Sequence, residues 1–348
     1  MKATDGLIHD NLGFHNVAEL VPAPGGGLHM ARFPKRAWSP IDSAVGDMTV
    51  RNSNGCEIRF VTSARRIRLY LRSMHGFADT VHLLGNQIVY CEGRIPEGRI
   101  HCLQIELPQL EPNRTAAARA PGGFAPNVYR IYSCGMQLAY HGMDGMGGDV
   151  RPPAPDELPA RRWLAYGSSI TQGGATFHNY VNAAAQMLEA QVFNLGMGGS
   201  CFLEPQIADF IAGRDDWDFA SFELGVNMIM SGPNTRFAEK VNDLLDRVTS
   251  RHPGKPLFLI TIFNNGVFHE KETSDWQRDA LEKNAILRAA AARFPQQVTL
   301  VDGCVLVPDF RGFQTDLLHP EPFAATRMGL ALAEAMTSAL SNHARSIV

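Results

Sequence analysis

The sequence predicts two structural parts: an all-β, jelly-roll-like sandwich over residues 1–150, and an α/β domain over residues 156–348. The second part reads as three α/β/α layers around a five-stranded parallel sheet. Three observations predict this. The 348 residues are too many for one ordinary core and comfortable for two. Apolar residues repeat every second position in the first half, whereas apolar strands alternate with helical stripes in the second. Between the halves, Asp144 to Pro155 (DGMGGDVRPPAP) breaks both patterns with glycine and proline, which places the boundary there.

In the first half, Cys56-Glu57-Ile58-Arg59-Phe60 and Arg66-Ile67-Arg68-Leu69-Tyr70-Leu71 alternate apolar with charged residues, as half-buried strands do. Val81 to Leu84, a Gly85-Asn86 turn and Ile88 to Cys91 read as a hairpin. Leu103, Ile105 and Leu107 alternate again, and so do Met136, Leu138 and Tyr140. Short strands, frequent turns and no clear helical stripe predict an antiparallel sandwich or jelly roll.

In the second half, strands are predicted at Arg162 to Tyr166, Gln191 to Leu195, Asp218 to Leu224, Pro256 to Phe263 and Val298 to Val301. Helical stripes separate them: Phe177, Val181, Ala184 and Leu188, then Phe237 to Val248, then Trp276 to Phe294. A last helix starts near Pro320, a residue favoured at a first helical position, and runs to about Ser341. Strands separated by helices imply a parallel sheet covered on both faces. Sites in such sheets lie beyond the carboxyl ends of the strands.

Composition narrows the function. Charged residues make up 19% and the formal charge is −3, so nothing global points to nucleic acid or a membrane surface. The basic stretch Arg65 to Arg72 places arginines and apolar residues on opposite sides of a strand, which a solvated face explains. Met1 to Phe14 holds Asp5, His9 and Asp10 but no apolar stretch of signal-peptide length, and no run elsewhere reaches the ~20 residues of a membrane helix. The six cysteines (Cys56, Cys91, Cys102, Cys134, Cys201, Cys304) show no short-spaced pairs and read as buried thiols, not a disulfide framework or zinc site. A cytoplasmic protein is expected.

The chemistry lies in loops after the predicted strands. The first ends in Tyr166-Gly167-Ser168-Ser169-Ile170-Thr171-Gln172-Gly173, a tight turn that exposes a serine hydroxyl near a helix start. Two helix-capping serines explain that turn as readily. The second ends in Asn194-Leu195-Gly196-Met197-Gly198-Gly199-Ser200, where glycines let a backbone N–H approach a ligand oxygen. That run has neither G-x-G-x-x-G nor a following Lys-Ser/Thr, so it is a weak phosphate loop. The third ends in Glu223-Leu224-Gly225-Val226-Asn227, aiming an amide at the same crevice. After the last comes Asp316-Leu317-Leu318-His319-Pro320, where a carboxylate three residues before a histidine can accept its ring N–H, although a lone Asp-x-x-His is often a helix start with a surface histidine.

In this order the blocks resemble the SGNH (GDSL-like) hydrolases, from about Arg161 to the C-terminus. The resemblance assigns Ser169 as nucleophile, Asp316 and His319 as its catalytic partners, and Ser169 N–H, Gly199 N–H and the Asn227 amide as the oxyanion hole. It implies a flavodoxin-like α/β/α domain, no cofactor or metal, and an O-acyl ester substrate, most often an acetylated sugar or small molecule. Two positions depart from the usual blocks: Ser168 replaces the acidic residue before the nucleophile, and Met228 follows the asparagine. The variant blocks look like a bacterial subgroup with an N-terminal β-sandwich. Hydrolysis of small-molecule or carbohydrate acyl esters is expected, with no nucleic-acid or membrane partner, and with oligomers allowed. An acyltransferase using the same residues, a non-catalytic carbohydrate-binding protein and a flavodoxin-like nucleotide binder are the alternatives. The sandwich is expected to border the crevice, because Pro152, Pro153 and Pro155 stiffen a short connection.

Overall fold

The computed structural model describes residues 6–39, 41, 43–108, 122–174 and 176–346. Ten strands of the first half form one antiparallel hydrogen-bonded sheet: β1 (Leu7–His9), β2 (Leu12–His15), β3 (Glu19–Pro22), β4 (Leu28–Ala31), β5 (Glu57–Thr62), β6 (Arg66–Leu84), β7 (Gln87–Ile95), β8 (His101–Glu106), β9 (Tyr129–Asp144) and β10 (Val150–Arg151). The long strands β6 and β9 pair along most of their length, with register shifts between Tyr70 and Leu71 and again between Ser73 and Ala78. The expected alternation holds in β6, where Ile67, Leu69 and Leu71 are fully buried against Phe14, Ile58 and Phe60. The expected hairpin is β6–β7, closing at Leu84↔Gln87.

The second half contains a parallel sheet in the order β12-β11-β13-β14-β15. Its strands are β11 (Arg161–Tyr166), β12 (Ala190–Asn194), β13 (Phe219–Glu223), β14 (Leu257–Ile260) and β15 (Val298–Val301). Alternate residues of β11 point to opposite cores. Trp163 and Ala165 face α3 (Tyr180–Met187) and α8 (Pro322–Ser346), whereas Leu164 and Tyr166 face α4 (Pro205–Ala212), α5 (Asn234–Arg251) and α6 (Asp275–Ala292). Both faces are therefore dry, which explains why these strands read as continuous apolar runs. The remaining helices are α1 (Ala44–Val50), α2 (Ser169–Gln172) and α7 (Gly303–Leu306).

Several details differ from the sequence expectations. Helices α1 and α4 and strands β1 to β4 carried no signal that the pattern reading used. Phe177 lies before its predicted helix and packs edge-on to Tyr132 of β9, ring centres 5.0 Å apart. The last helix begins at Pro322, two residues beyond the predicted proline. The boundary segment is no plain linker, since Val150–Arg151 pairs antiparallel with β5. Cys56, Cys134 and Cys201 are buried thiols as expected, but Cys304 is half-buried and Cys102, on the solvent side of β8, is exposed. The Cys91 side chain lies outside those described.

The two halves share a core. Phe33, Ala37, Trp38 and Val50 pack with Leu164, Phe193, Ile207 and Phe210. Across this contact His15 Nε2 lies 2.8 Å from Val192 O, and Asn16 Nδ2 donates to Asn194 O at 2.9 Å. Among the described residues no helix is long and apolar enough to cross a membrane.

Candidate active site

The nucleophile turn follows β11. Ser168 is the N-cap of α2: its backbone is extended and its Oγ accepts the Ile170 N–H at 3.2 Å. That leaves Ser169 as the first helical residue, with its Oγ 2.9 Å from His319 Nε2. The two readings of the serine pair thus divide between the residues. Ser168 caps; Ser169 meets the histidine.

His319 is set by its own short loop. Asp316 Oδ1 accepts the backbone N–H of Leu318 at 2.9 Å and of His319 at 3.0 Å, while Oδ2 lies 2.6 Å from the ring Nδ1. The carboxylate folds back as the spacing predicted. Between them Leu317 takes a left-handed conformation (φ 51°), and its carbonyl accepts the Gly266 N–H at 3.0 Å, pinning the turn to the loop after β14. With Nδ1–H donated to a carboxylate, Nε2 is left bare to accept from Ser169. Partial burial pushes the Asp316 carboxyl up, but bonds from the His319 ring and the two N–H groups hold it below the ordinary value, so it is anionic at neutral pH.

Three candidate donors sit on the loops after successive strands of the sheet. The Ser169 N–H opens α2, and among the described residues no acceptor engages it. Gly199 follows β12 with φ +67°, a left-handed conformation that suits glycine, and its N–H is likewise unengaged among the described residues. The neighbouring Gly198 N–H is committed, to Gln172 Oε1 at 2.7 Å. Asn227 lies in a 3₁₀ turn after β13; its Oδ1 accepts the Cys201 N–H at 3.1 Å, which turns the NH2 end away as a free donor.

Residues of the first half hold this glycine loop. Arg32 is fully buried, and its guanidinium donates to the carbonyls of Asn194 at 3.0 Å and Gly196 at 2.9 Å, besides Asn52 and Thr49. The Thr49 hydroxyl, already donating to Val45 O, lies 3.2 Å from Gly198 O. A Cβ built on Gly199 would come within 3.3 Å of Val45 Cγ1. Helix α1 therefore lies against the loop, whereas the described residues lining the cleft beside Ser169 all come from the second half. Arg32, Thr49 and Gln172 escaped the sequence reading; a lone arginine or threonine has no pattern to find.

A cleft of about 480 Å³ opens beside Ser169 and His319. Thr176, His178, Asn179, Gln314 and Glu321 give it polar groups, and Tyr180 adds a phenol ring. Among the described residues, no group of three His, Cys, Asp or Glu side chains is placed to hold a metal.

Residues 165–325 match the GDSL-like Lipase/Acylhydrolase family. The fold is similar to a salicylyl-acyltransferase, SsfX3, from a tetracycline biosynthetic pathway (TM-score 0.74, 13% identity, 94% of this chain and 95% of that one). It is also similar to a family two carbohydrate esterase from Cellvibrio japonicus (0.60, 12%, 95% of each chain). A third similar structure is an acetyl xylan esterase from the rumen bacterium Butyrivibrio proteoclasticus (0.57, 11%, 96% of each chain). No curated protein matches the chain in sequence.

Proposed function

We propose, on the premise that residues 165–325 are a GDSL-like lipase/acylhydrolase domain, that the chain is a serine esterase releasing acyl groups from sugar or small-molecule esters. The observation that carries this is the hydrogen-bonded line Ser169 Oγ–His319 Nε2 at 2.9 Å and His319 Nδ1–Asp316 Oδ2 at 2.6 Å. His319 Nε2 takes the Ser169 proton as Oγ bonds to the ester carbon, and the carbonyl oxygen becomes an oxyanion. Ser169 N–H, Gly199 N–H and the Asn227 amide meet that charge. Collapse expels the alcohol, which leaves with the proton from His319. Water then attacks the acyl-enzyme by the same route in reverse, releasing the acid and free Ser169. Asp316, already anionic, fixes the ring and stabilises the imidazolium.

The cleft sets the polar groups of Thr176, His178, Asn179, Gln314 and Glu321 beside apolar surface from Ile170, Pro320 and Ala325, which supports an alcohol part that offers hydroxyl groups and a short acyl group such as acetyl. The same acyl-enzyme passed to a hydroxyl acceptor would be acyl transfer, and product analysis with and without an added sugar separates the two outcomes.

The test is labelling by a fluorophosphonate together with turnover of acetylated sugars and aryl acetates. Ser169→Ala is expected to lose labelling and on the order of 10⁶ in kcat, whereas Ser168→Ala, which loses the hydroxyl's bonds to Ile170 N–H and Glu223 but keeps the Ser168 N–H on that carboxylate, is expected to label and to retain kcat within about an order of magnitude. Activity in Ser169→Ala, or none in Ser168→Ala, would overturn the assignment.

A further inference from the structure

Strand β13 ends in a carboxylate that an apolar strand does not need. Glu223 is 1% exposed and comes up beneath the nucleophile turn. Its Oε2 accepts three donors: the Ser168 N–H at 2.7 Å, the Ser168 hydroxyl at 2.7 Å and the Thr171 hydroxyl at 3.0 Å. Thr171 in turn accepts from the Tyr180 hydroxyl at 2.7 Å. Gly167 makes room for this approach, because a Cβ there would lie 2.6 Å from the carboxylate oxygen. Oε1 has no partner among the described residues. A carboxylate buried at such cost and spent on one four-residue turn points to that turn's geometry.

We propose that Glu223 is the positioning residue of the nucleophile turn, its carboxylate holding Ser168 and Thr171 so that the Ser169 Oγ and N–H address one carbonyl together. This rests on Ser169 being the nucleophile. Ser168 stands on both sides of the arrangement: its hydroxyl accepts from the Ile170 N–H while donating to Glu223, so the carboxylate orients the peptide that carries the Ser169 N–H. Where the related blocks carry an acidic residue at this position, the chain has a serine and a carboxylate arriving from the neighbouring strand.

The protonation state of Glu223 then matters. Burial pushes its carboxyl up to about 7, against the bonds from Ser168 and Thr171 that hold it down. The groups facing it are Tyr180 on α3 and Cys201 on the loop after β12, both pushed well above their ordinary values by burial and neutral across the working range. Its partner on β14 is Ile260, which is apolar. Bonds to an anionic acceptor are the stronger ones, so the turn is held above about pH 7 and slackens below it.

Glu223→Gln, Glu223→Ala and Ser169→Ala test this in the full chain, with turnover expressed per fluorophosphonate-labelled site. Glu223→Ala is expected to lose on the order of 10–100-fold in kcat at little-changed KM, since an ångström of misplacement costs that much. Glu223→Gln keeps an acceptor oxygen without charge; it is expected to stay within about tenfold of the parent. Its acid limb of kcat against pH should fall with the slope of a single base, whereas the parent's is steeper. Unchanged kcat per site in Glu223→Ala, or an identical acid limb in Glu223→Gln and the parent, would overturn the proposal. If Glu223→Ala does not fold, the Glu223→Gln limb alone decides. Failure of the parent to label at Ser169 would strike the esterase reading instead, and leaves a different signature.

Discussion

Replacing Asn227 by alanine separates ground-state from transition-state work at one side chain. The carboxamide has a task at each end: Oδ1 accepts the Cys201 N–H at 3.1 Å, and the NH2 has no acceptor among the described residues. Alanine removes both. Loss of the first leaves a part-buried N–H unpaired, which costs about 1–3 kcal/mol of stability. The second concerns charge that exists only while the oxyanion does; one such donor is worth roughly 2.7–4 kcal/mol. At about 1.36 kcal/mol per tenfold, this is a fall of roughly 10²–10³ in kcat with KM little changed. Asn227→Asp sharpens the comparison. It keeps an oxygen for Cys201 but puts negative charge where the oxyanion forms, so it should be at least as slow while losing less stability. Steady-state hydrolysis of an aryl acetate, with sites counted by labelling and melting recorded alongside, reads both effects. A kcat per site within about threefold of the parent in Asn227→Ala, the change of a single weak hydrogen bond, would refute the role, as would a loss confined to KM.

Other consequences follow from the join between halves and from buried histidines. The fragment 156–348 should be insoluble or poorly folded, because it uncovers Phe210 where Phe33 packs and Phe193 where His15 stacks; a soluble fragment with full activity and unaltered selectivity would show that the first half does not shape the crevice. His29 and His82 are pushed down from 6.5 to about 4 by burial, so the unfolded chain binds more protons between those values and stability falls as pH drops from 6.5 to 4. Each contributes roughly 3 kcal/mol across that window. Melting followed from pH 7 to 4 should show the fall, and His29→Gln, which keeps a donor for Arg51 O at 2.7 Å in the parent, should flatten part of it; parallel curves would refute that share.

What the sequence by itself determined is local or periodic. Spacing let the Asp316 carboxylate fold back on its own loop, and the observed bonds to Leu318 and His319 N–H are all of that short range, but it was the order of the blocks and the family they resemble that singled the pair out. Strand and helix periods placed the candidate loops after successive strands, which parallel strands gather at one edge, and the family resemblance picked Ser169, Gly199 and Asn227 out of them. Tertiary structure alone decided which groups stand behind them. Arg32 reaches Gly196 across 164 residues, Thr49 reaches Gly198 across 149, and Glu223 reaches Ser168 across 55. None carries a local signal: an arginine in the first half reads as surface, and a glutamate closing FASFE reads as a strand end turning to solvent. The same cause hid β10. Its two residues follow a glycine-rich break, and only the partner β5 makes them a strand. Backbone period and short-range spacing are written along the chain, whereas burial of a charge depends on which distant backbone carbonyls or donors fold over it.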